Sequence, residues 1–247
     1  MKKDLLGDRM KTYESASRHY LTRRKPVIIR LDGCHFHTFT KDFNKPYDEI
    51  LCRSMQETMT YLCKNIQGCV LGYTQSDEIT LVLCDYKKLE SQAWFDDNIQ
   101  KMCSVSASMA TMMFNQVFSY LADKDGRYPY YYAKVKGATF DSRAFNLPRE
   151  EVTNCLIWRQ LDAIRNSIQG LGQAYYSHKE LLGKSCRDIK EMLKTELQID
   201  WNTEVQRKFQ VGSCCVKTDE GWVIDNEIPD FRQDREYVES KITFEDT

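Results

Sequence analysis

Apolar positions recur along this chain in two rhythms, and their alternation predicts an α+β fold. Val27, Ile28 and Ile29 run into Arg30 and Leu31, the mark of a short strand buried in a sheet. That strand stops at Asp32-Gly33. Two further apolar runs, residues 69–73 and 79–83, flank Thr74-Gln75-Ser76-Asp77-Glu78 and predict a β-hairpin with Asp77 and Glu78 at its tip. Between strand and hairpin, Ile50, Leu51, Met55, Met59, Leu62 and Ile66 recur at three-to-four spacing and predict a helix over residues 47–66.

The same rhythm places helices elsewhere. Leu5, Leu6, Met10, Tyr13, Ser17 and Tyr20 predict one over residues 4–21, capped by Asp4. The basic cluster Arg23-Arg24-Lys25 reads as a solvated turn. A long helix starts at Asp96 or Asp97 and runs to about Leu121, with Met102, Val105, Met109, Met112, Met113 and Val117 inward as core. Residues 122–136, with Asp-Gly and four tyrosines, read as an irregular excursion, and residues 138–147 as a strand. Proline and acids after Asn146 start a helix reaching about Tyr176, whose polar face of Arg159, Asp162, Arg165, Asn166 and Gln169 reads on spacing alone as solvated. A short basic helix over 184–197 and a hairpin around Thr218-Asp219-Glu220 follow, and the acidic tail from Glu236 is expected to fray.

No linker or repeat divides the 247 residues. The expectation is a single catalytic domain, a ferredoxin-like palm of antiparallel sheet backed by helices over about 1–147, with a helical and hairpin extension over about 148–247. The apolar fraction of 42% supports a sizeable core, and a net charge of −1 excludes a uniformly basic coat while leaving room for a local basic groove. Ten cysteines without a CxxC pair read as small buried hydrophobes in a reducing compartment. The start of the chain lacks a signal-peptide pattern and nothing approaches the ~20 apolar residues of a membrane span, so a cytoplasmic protein is expected.

The chemistry lies in acids at strand ends. A carboxylate at the tip of a buried strand, followed by a glycine that lets backbone approach a ligand, suits a hard divalent cation. Asp32 and Asp77 are therefore expected to converge on one site. Phosphoryl displacement builds charge on attacking and leaving oxygens, and two metals ~4 Å apart stabilise both. His37, shortly beyond Asp32, is either a satisfied structural histidine or a participant in that site. Lys101, in the first turns of its helix, is either merely exposed or serves an anion shared with the helix end.

Several segments together, Arg30-Leu31-Asp32-Gly33, Phe36-His37, Lys45-Pro46, Tyr73 to Glu78, Phe140-Asp141-Ser142-Arg143 and Trp158-Arg159-Gln160 with Asp162, resemble the tRNA(His) guanylyltransferase superfamily. That superfamily includes shorter bacterial and archaeal 3′-to-5′ RNA polymerases. The resemblance implies a palm-like enzyme that adds nucleotides to the 5′ end of tRNA, with Asp32, Asp77 and Glu78 as its acidic set. It implies two Mg²⁺ ions on Asp32, the Gly33 carbonyl and Asp77. It further implies a triphosphate of ATP or GTP held by the loop Asp32 to His37, including Cys34, His35 and Phe36, together with Ser76, and neutralised by Lys45, Lys101 and Arg143.

The implied reaction has two stages: ATP or GTP activates the 5′-monophosphate, then the 3′-hydroxyl of an incoming nucleoside triphosphate displaces the activating group. Where the eukaryotic pattern has His-Ile-Asn, this chain has Ile164-Arg165-Asn166. The expectation is therefore template-directed repair of 5′-truncated tRNA, with Arg159, Arg165 and Asn166 as RNA contacts. The alternatives are guanylate addition to tRNA(His), a palm-type nucleotidyl cyclase, and a tRNA-binding module without catalysis. The resemblance also points to a homotetramer.

Overall fold

The computed structural model describes residues 4–244. In chain order its elements are α1 (Leu5–Ser15), β1 (Val27–Gly33), α2 (Phe36–Phe39), α3 (Glu49–Asn65), β2 (Cys69–Gln75), β3 (Glu78–Leu83), a 3₁₀ turn (Trp94–Asp97), α4 (Ile99–Asp125), α5 (Tyr128–Lys136) and β4 (Phe140–Asn146). Then come α6 (Arg149–Tyr175), α7 (His178–Leu181), α8 (Cys186–Leu197), α9 (Trp201–Glu204), α10 (Arg207–Val211), β5 (Ser213–Thr218), β6 (Gly221–Asp225) and α11 (Glu236–Glu239). The six strands form one antiparallel sheet in the order β4-β1-β3-β2-β5-β6. Its first four are the βαββαβ palm, with β5 and β6 extending the β2 edge.

Period-two alternation sorts the strands' side chains between two cores. Ile29 and Leu31 face α3 and α4 with Met55, Met59, Phe114 and Phe118. Ile28 faces the other way, toward α6 and the C-terminal segment, with Leu71, Tyr73, Val82, Val152, Leu156 and Phe231. Cys215 joins the first core and Cys214 the second, and all ten cysteines are unpaired thiols. No helix among the described residues is long and apolar enough to cross a membrane.

Several expectations are corrected. Helix α1 forms and Asp4 caps it, but it ends at Ser15 and buries nothing; Leu5 and Tyr13 are 70% and 72% exposed. The inward stripe of α4 is Met102, Ser106, Ala110, Phe114 and Phe118, whereas Met112 faces out, because the aromatic core of Phe36, Phe39, Phe43 and Phe140 draws the phenylalanines. The excursion after α4 is largely helix α5: Gly126, at φ 75°, stops α4, and Tyr130 is buried with its hydroxyl donating to Asp48 Oδ2 at 2.5 Å. The tail from Glu236 packs rather than frays, since Val238 and Ile242 are buried in the second core; its end, residues 245–247, lies outside the described residues. Arg23 and Arg24 are engaged, to the Asp96 carboxylate and to the carbonyls of Asp85 and Lys88.

Candidate active site

Register assembles the site. Asp32 lies opposite Glu78 on β3 and Asp141 on β4, while Glu78 lies opposite Gln75 on β2. The row Asp141, Asp32, Glu78, Gln75 therefore crosses four strands on the sheet face that α6 covers. One step back, Arg30 lies between Arg143 and Thr80 on that same face. The β2–β3 turn is only Ser76-Asp77, with Ser76 at φ 49° as a tight hairpin requires. The Gly33 N–H donates to the Asp77 carbonyl at 3.1 Å, which ties the end of β1 to that turn.

A cavity of about 290 Å³ opens here, lined by Arg30, Asp32, Ser76, Asp77 and Glu78 from the sheet and by Trp158, Arg159, Asp162 and Asn166 from α6. The two predicted acids thus meet. Asp77 is held above the ordinary aspartate range, chiefly by burial and further by the charge of Asp32; the Ser76 hydroxyl, donating at 3.0 Å, opposes the shift. Beside it a second cavity of about 190 Å³ shares Gln75, Ser76 and Asn166, and is otherwise walled by residues such as Tyr47, Leu51, Met55, Lys208 and Phe209.

Glu78 is not at the hairpin tip. It opens β3, is buried, and its Oε1 sits 2.9 Å from Arg159 Nε. Burial raises its pKa first, the charges of Arg159 and Arg30 oppose that, and Asp32 adds to it. Arg159 is correspondingly buried, not solvated, and its Nη2 donates to Asp162 at 2.6 Å. The period of α6 turns Arg159 toward the sheet, which removes it from the surface where RNA could reach it. Arg165 remains outside, exposed and paired with Asp162, and Asn166 reaches both cavities.

Other expected contacts fall elsewhere. The Phe36 ring is core, packed on Phe39, Phe114 and Phe140, and it occupies the space beside Gly33: a Cβ built on Gly33 would lie 2.2 Å from Phe36 Cδ2. Gly33 therefore makes room for an aromatic ring. Cys34 is partly buried and its N–H donates to the Thr139 carbonyl; His35 and His37 are exposed, and His37 Nε2 pairs with the Thr38 hydroxyl at 3.0 Å. Lys45 is exposed one residue before Pro46, which lines the second cavity. Arg143 pairs with Asp141 at 3.3 Å. Lys101 lies far from the acids, because α4 starts beside the opposite end of β1, where Met102 and Val27 share a small cavity.

Residue-by-residue reading passed over Arg30 as a site residue, although alternation puts it on the Asp32 face. Its Nε is buried without a hydrogen-bond partner among the described residues, and its guanidinium lies 5.3 Å from the centre of the Trp158 ring. Trp158 and Asp162, read in the sequence as carriers of the family resemblance without a role in the site, join Arg30 in the cavity wall.

A βαββαβ sheet with paired strand-end acids beside a cavity defines a palm-type nucleotidyltransferase. The chain belongs to the tRNA(His) guanylyltransferase family, whose model matches residues 7–148. It is 46% identical to a bacterial tRNA(His) guanylyltransferase-like protein in complex with ATP, at TM-score 0.88 over 97% of this chain and 100% of that one. It is 40% identical to a bacterial guanylyltransferase-like protein in complex with GTP, at TM-score 0.79 over the same shares. The tRNA(His) guanylyltransferase 2 of Arabidopsis thaliana is 27% identical over 81% of this chain, which spans only 37% of that relative's length. The family's members are nucleotidyltransferases that act on tRNA.

Proposed function

We propose that this protein adds nucleotides in the 3′-to-5′ direction to the 5′ end of tRNA, selecting each by pairing with the opposite strand and so repairing truncated ends. The observation that carries the nucleotidyl-transfer reading is the meeting of Asp32 and Asp77 in one cavity with Ser76 and Arg30. The bacterial relatives in complex with ATP and with GTP support nucleotide use.

The Asp77 carboxylate, raised in energy by burial and by the charge of Asp32, belongs with Asp32 to a donor set that a hard cation would stabilise. Asp32, Asp77 and the Gly33 carbonyl would hold Mg²⁺, an ion that needs only one or two carboxylates when substrate phosphates and water complete its shell. When bound, it supplies charge stabilisation at the reacting phosphate and its attacking and leaving oxygens. Glu78 is committed to Arg159, so its part is to position the base of the site rather than to take a ligand.

In the first stage a 5′-phosphate oxygen attacks the α-phosphorus of ATP or GTP and expels pyrophosphate. In the second, the 3′-hydroxyl of a nucleoside triphosphate attacks the activated 5′ phosphorus, loses its proton, and expels the nucleoside monophosphate. Arg30 neutralises phosphate in this scheme, with Arg143 one strand away behind Asp141. The loop of His35, Phe36 and His37 opens α2, and the first N–H groups of a helix lack intrahelical acceptors and can face phosphate oxygens. The 190 Å³ cavity, with Tyr47 and Phe209 in its wall, accepts a base and ribose. Arg165, exposed beside Asn166, contacts the RNA backbone. The bare apolar stripe of α1 supplies area for contact between subunits in a tetramer.

Guanylate addition to tRNA(His) is the second reading, favoured by the Arabidopsis relative's activity as named. End-labelled tRNAs lacking one 5′ nucleotide, offered with each template base opposite the gap, separate the two. Incorporation following the template supports repair, and addition of G whatever the template overturns it.

A further inference from the structure

The chain enters β4 through α5, and one face of that helix is bare. Tyr130 and Ala133 are buried in the first core. On the opposite side Tyr128, Tyr131, Tyr132 and Val135 follow the i, i+3, i+4, i+7 spacing of a single helical stripe, and they are 76%, 60%, 63% and 70% exposed. Tyr120, near the end of α4, is exposed as well, with Lys124 Nζ 4.3 Å from the centre of its ring. A contiguous run of water-facing aromatic rings marks a surface that meets a partner.

The flanks of this stripe are cationic. Helix α5 carries Lys134 and Lys136 and no acid. The carboxylates of Asp123 and Asp125 close by are taken by Lys134 and Arg127, at 2.5 Å each, which leaves Lys124 and Lys136 without a carboxylate partner among the described residues. The helix is also tied to the candidate active site at two points. Its Tyr130 hydroxyl donates to Asp48, which lines the 190 Å³ cavity, and accepts from the Asn44 amide at 3.1 Å. Past Lys136 the chain reaches Phe140, opposite Gly33 on β1, over a span of at most about 14 Å. The stripe therefore stands beside the acids.

Exposed tyrosines flanked by lysines suit single-stranded nucleic acid, whose bases stack on aromatic rings whatever their identity while its phosphates meet the cations. A second copy of this chain fits less well. At ~200 Å² for a whole aromatic side chain, the four exposed tyrosines offer roughly 500 Å², short of the ~800 Å² per partner of a stable interface. Every tRNA carries an unpaired 3′ tail that leaves the acceptor stem beside its 5′ nucleotide, so an enzyme holding the 5′ end at Asp32 and Asp77 must house that tail nearby. We propose that the Tyr128, Tyr131 and Tyr132 face of α5, with Lys124 and Lys136 at its flanks, stacks the unpaired 3′ nucleotides of the tRNA. This inference rests on the tRNA-end reaction proposed above. Stacking registers the presence of the tail rather than its sequence.

The test is fluorescence anisotropy with the full-length protein and a labelled tRNA lacking one 5′ nucleotide, either with its 3′ tail or trimmed flush. The parent should bind the tailed RNA at least about tenfold more tightly than the flush one. Tyr131→Ala combined with Tyr132→Ala should erase that difference, whereas Tyr131→Phe with Tyr132→Phe should keep it, because a phenyl ring still stacks. A short single-stranded RNA of the tail's sequence should weaken the parent's grip on the tailed tRNA to the flush value and leave the flush tRNA bound, which decides the matter should the alanine variant misfold. Equal affinity of the parent for the two RNAs, or an alanine variant that keeps the tail's advantage, overturns the assignment. So does a fall in assembly mass in the alanine variant, which makes the face a contact between copies. These readouts are binding equilibria, so a parent that binds both RNAs but extends neither counts against the proposed reaction alone.

Discussion

The Oε1 of Glu78 lies 2.9 Å from the Nε of Arg159, with both side chains about one-tenth exposed. The Nε hydrogen is not aligned for a hydrogen bond, so attraction between charges holds this contact, while Arg159 Nη2 supplies an aligned bond to Asp162. The pair fixes α6 to the row of acids and walls the larger cavity. Removing one partner of a buried pair strands the other charge. Arg159→Ala is expected to lower unfolding free energy by about 3–5 kcal/mol, measured by urea denaturation, and to impair catalysis more than the exposed Arg165→Ala does.

Asp77→Asn separates stability from activity. Its folded pKa lies above the ordinary value, so the native state binds more protons than the unfolded one between those two values, and stability falls as pH rises through that window. In chelator near neutral pH the Asn variant should therefore melt higher than the parent, and the gain should vanish at pH below the ordinary aspartate range. Nucleotide incorporation with Mg²⁺ should be abolished. A variant that melts lower at neutral pH, or that still extends tRNA, would contradict this.

Gly33→Ala tests why a glycine ends β1. Its added methyl meets the Phe36 ring, which is wedged among Phe39, Phe114 and Phe140 and cannot swing aside. The expected loss is about 1–3 kcal/mol, as for other overpacked sites. Adding Phe36→Leu should recover part of that loss. If Gly33→Ala is neutral in stability yet inactive, the glycine serves ligand approach instead.

Tyr73 crosses the second core to donate its hydroxyl to the Val211 carbonyl at 2.7 Å, where α10 leads into β5. Tyr73→Phe leaves that carbonyl without its donor and should cost about 1–3 kcal/mol, read from denaturant midpoints.

The palm was legible because its signals are local. The apolar runs in 27–31, 69–73 and 79–83 and the helical stripe of 50–66 each depend on one element, and all four elements lie where their patterns put them. The convergence of Asp32 and Asp77 follows from strand ends, which sequence also marks. Tertiary choices were not legible. The aromatic cluster recruited Phe36, Phe114 and Phe118, so a loop residue expected at the ligand became core and a methionine stripe turned partly outward. Nothing in the spacing of α6 distinguishes a solvated arginine from one aimed at Glu78, because the partner lies across the sheet. Lys101 was misplaced for the same reason: its helix position is local, whereas the end of the sheet at which α4 begins is decided by packing.

The ladder joining Asp141, Asp32, Glu78 and Gln75 also governs which lengths of chain this enzyme can accept. A one-residue deletion within β3 would invert every side chain beyond it, sending Ile79 toward the cavity and Glu78 into the phenylalanines. Insertions in the exposed connection at 88–90 leave that parity untouched. Engineered loops, tags or reporters therefore belong in that connection, and catalytic competence should survive them there while a single frame slip inside a central strand extinguishes it.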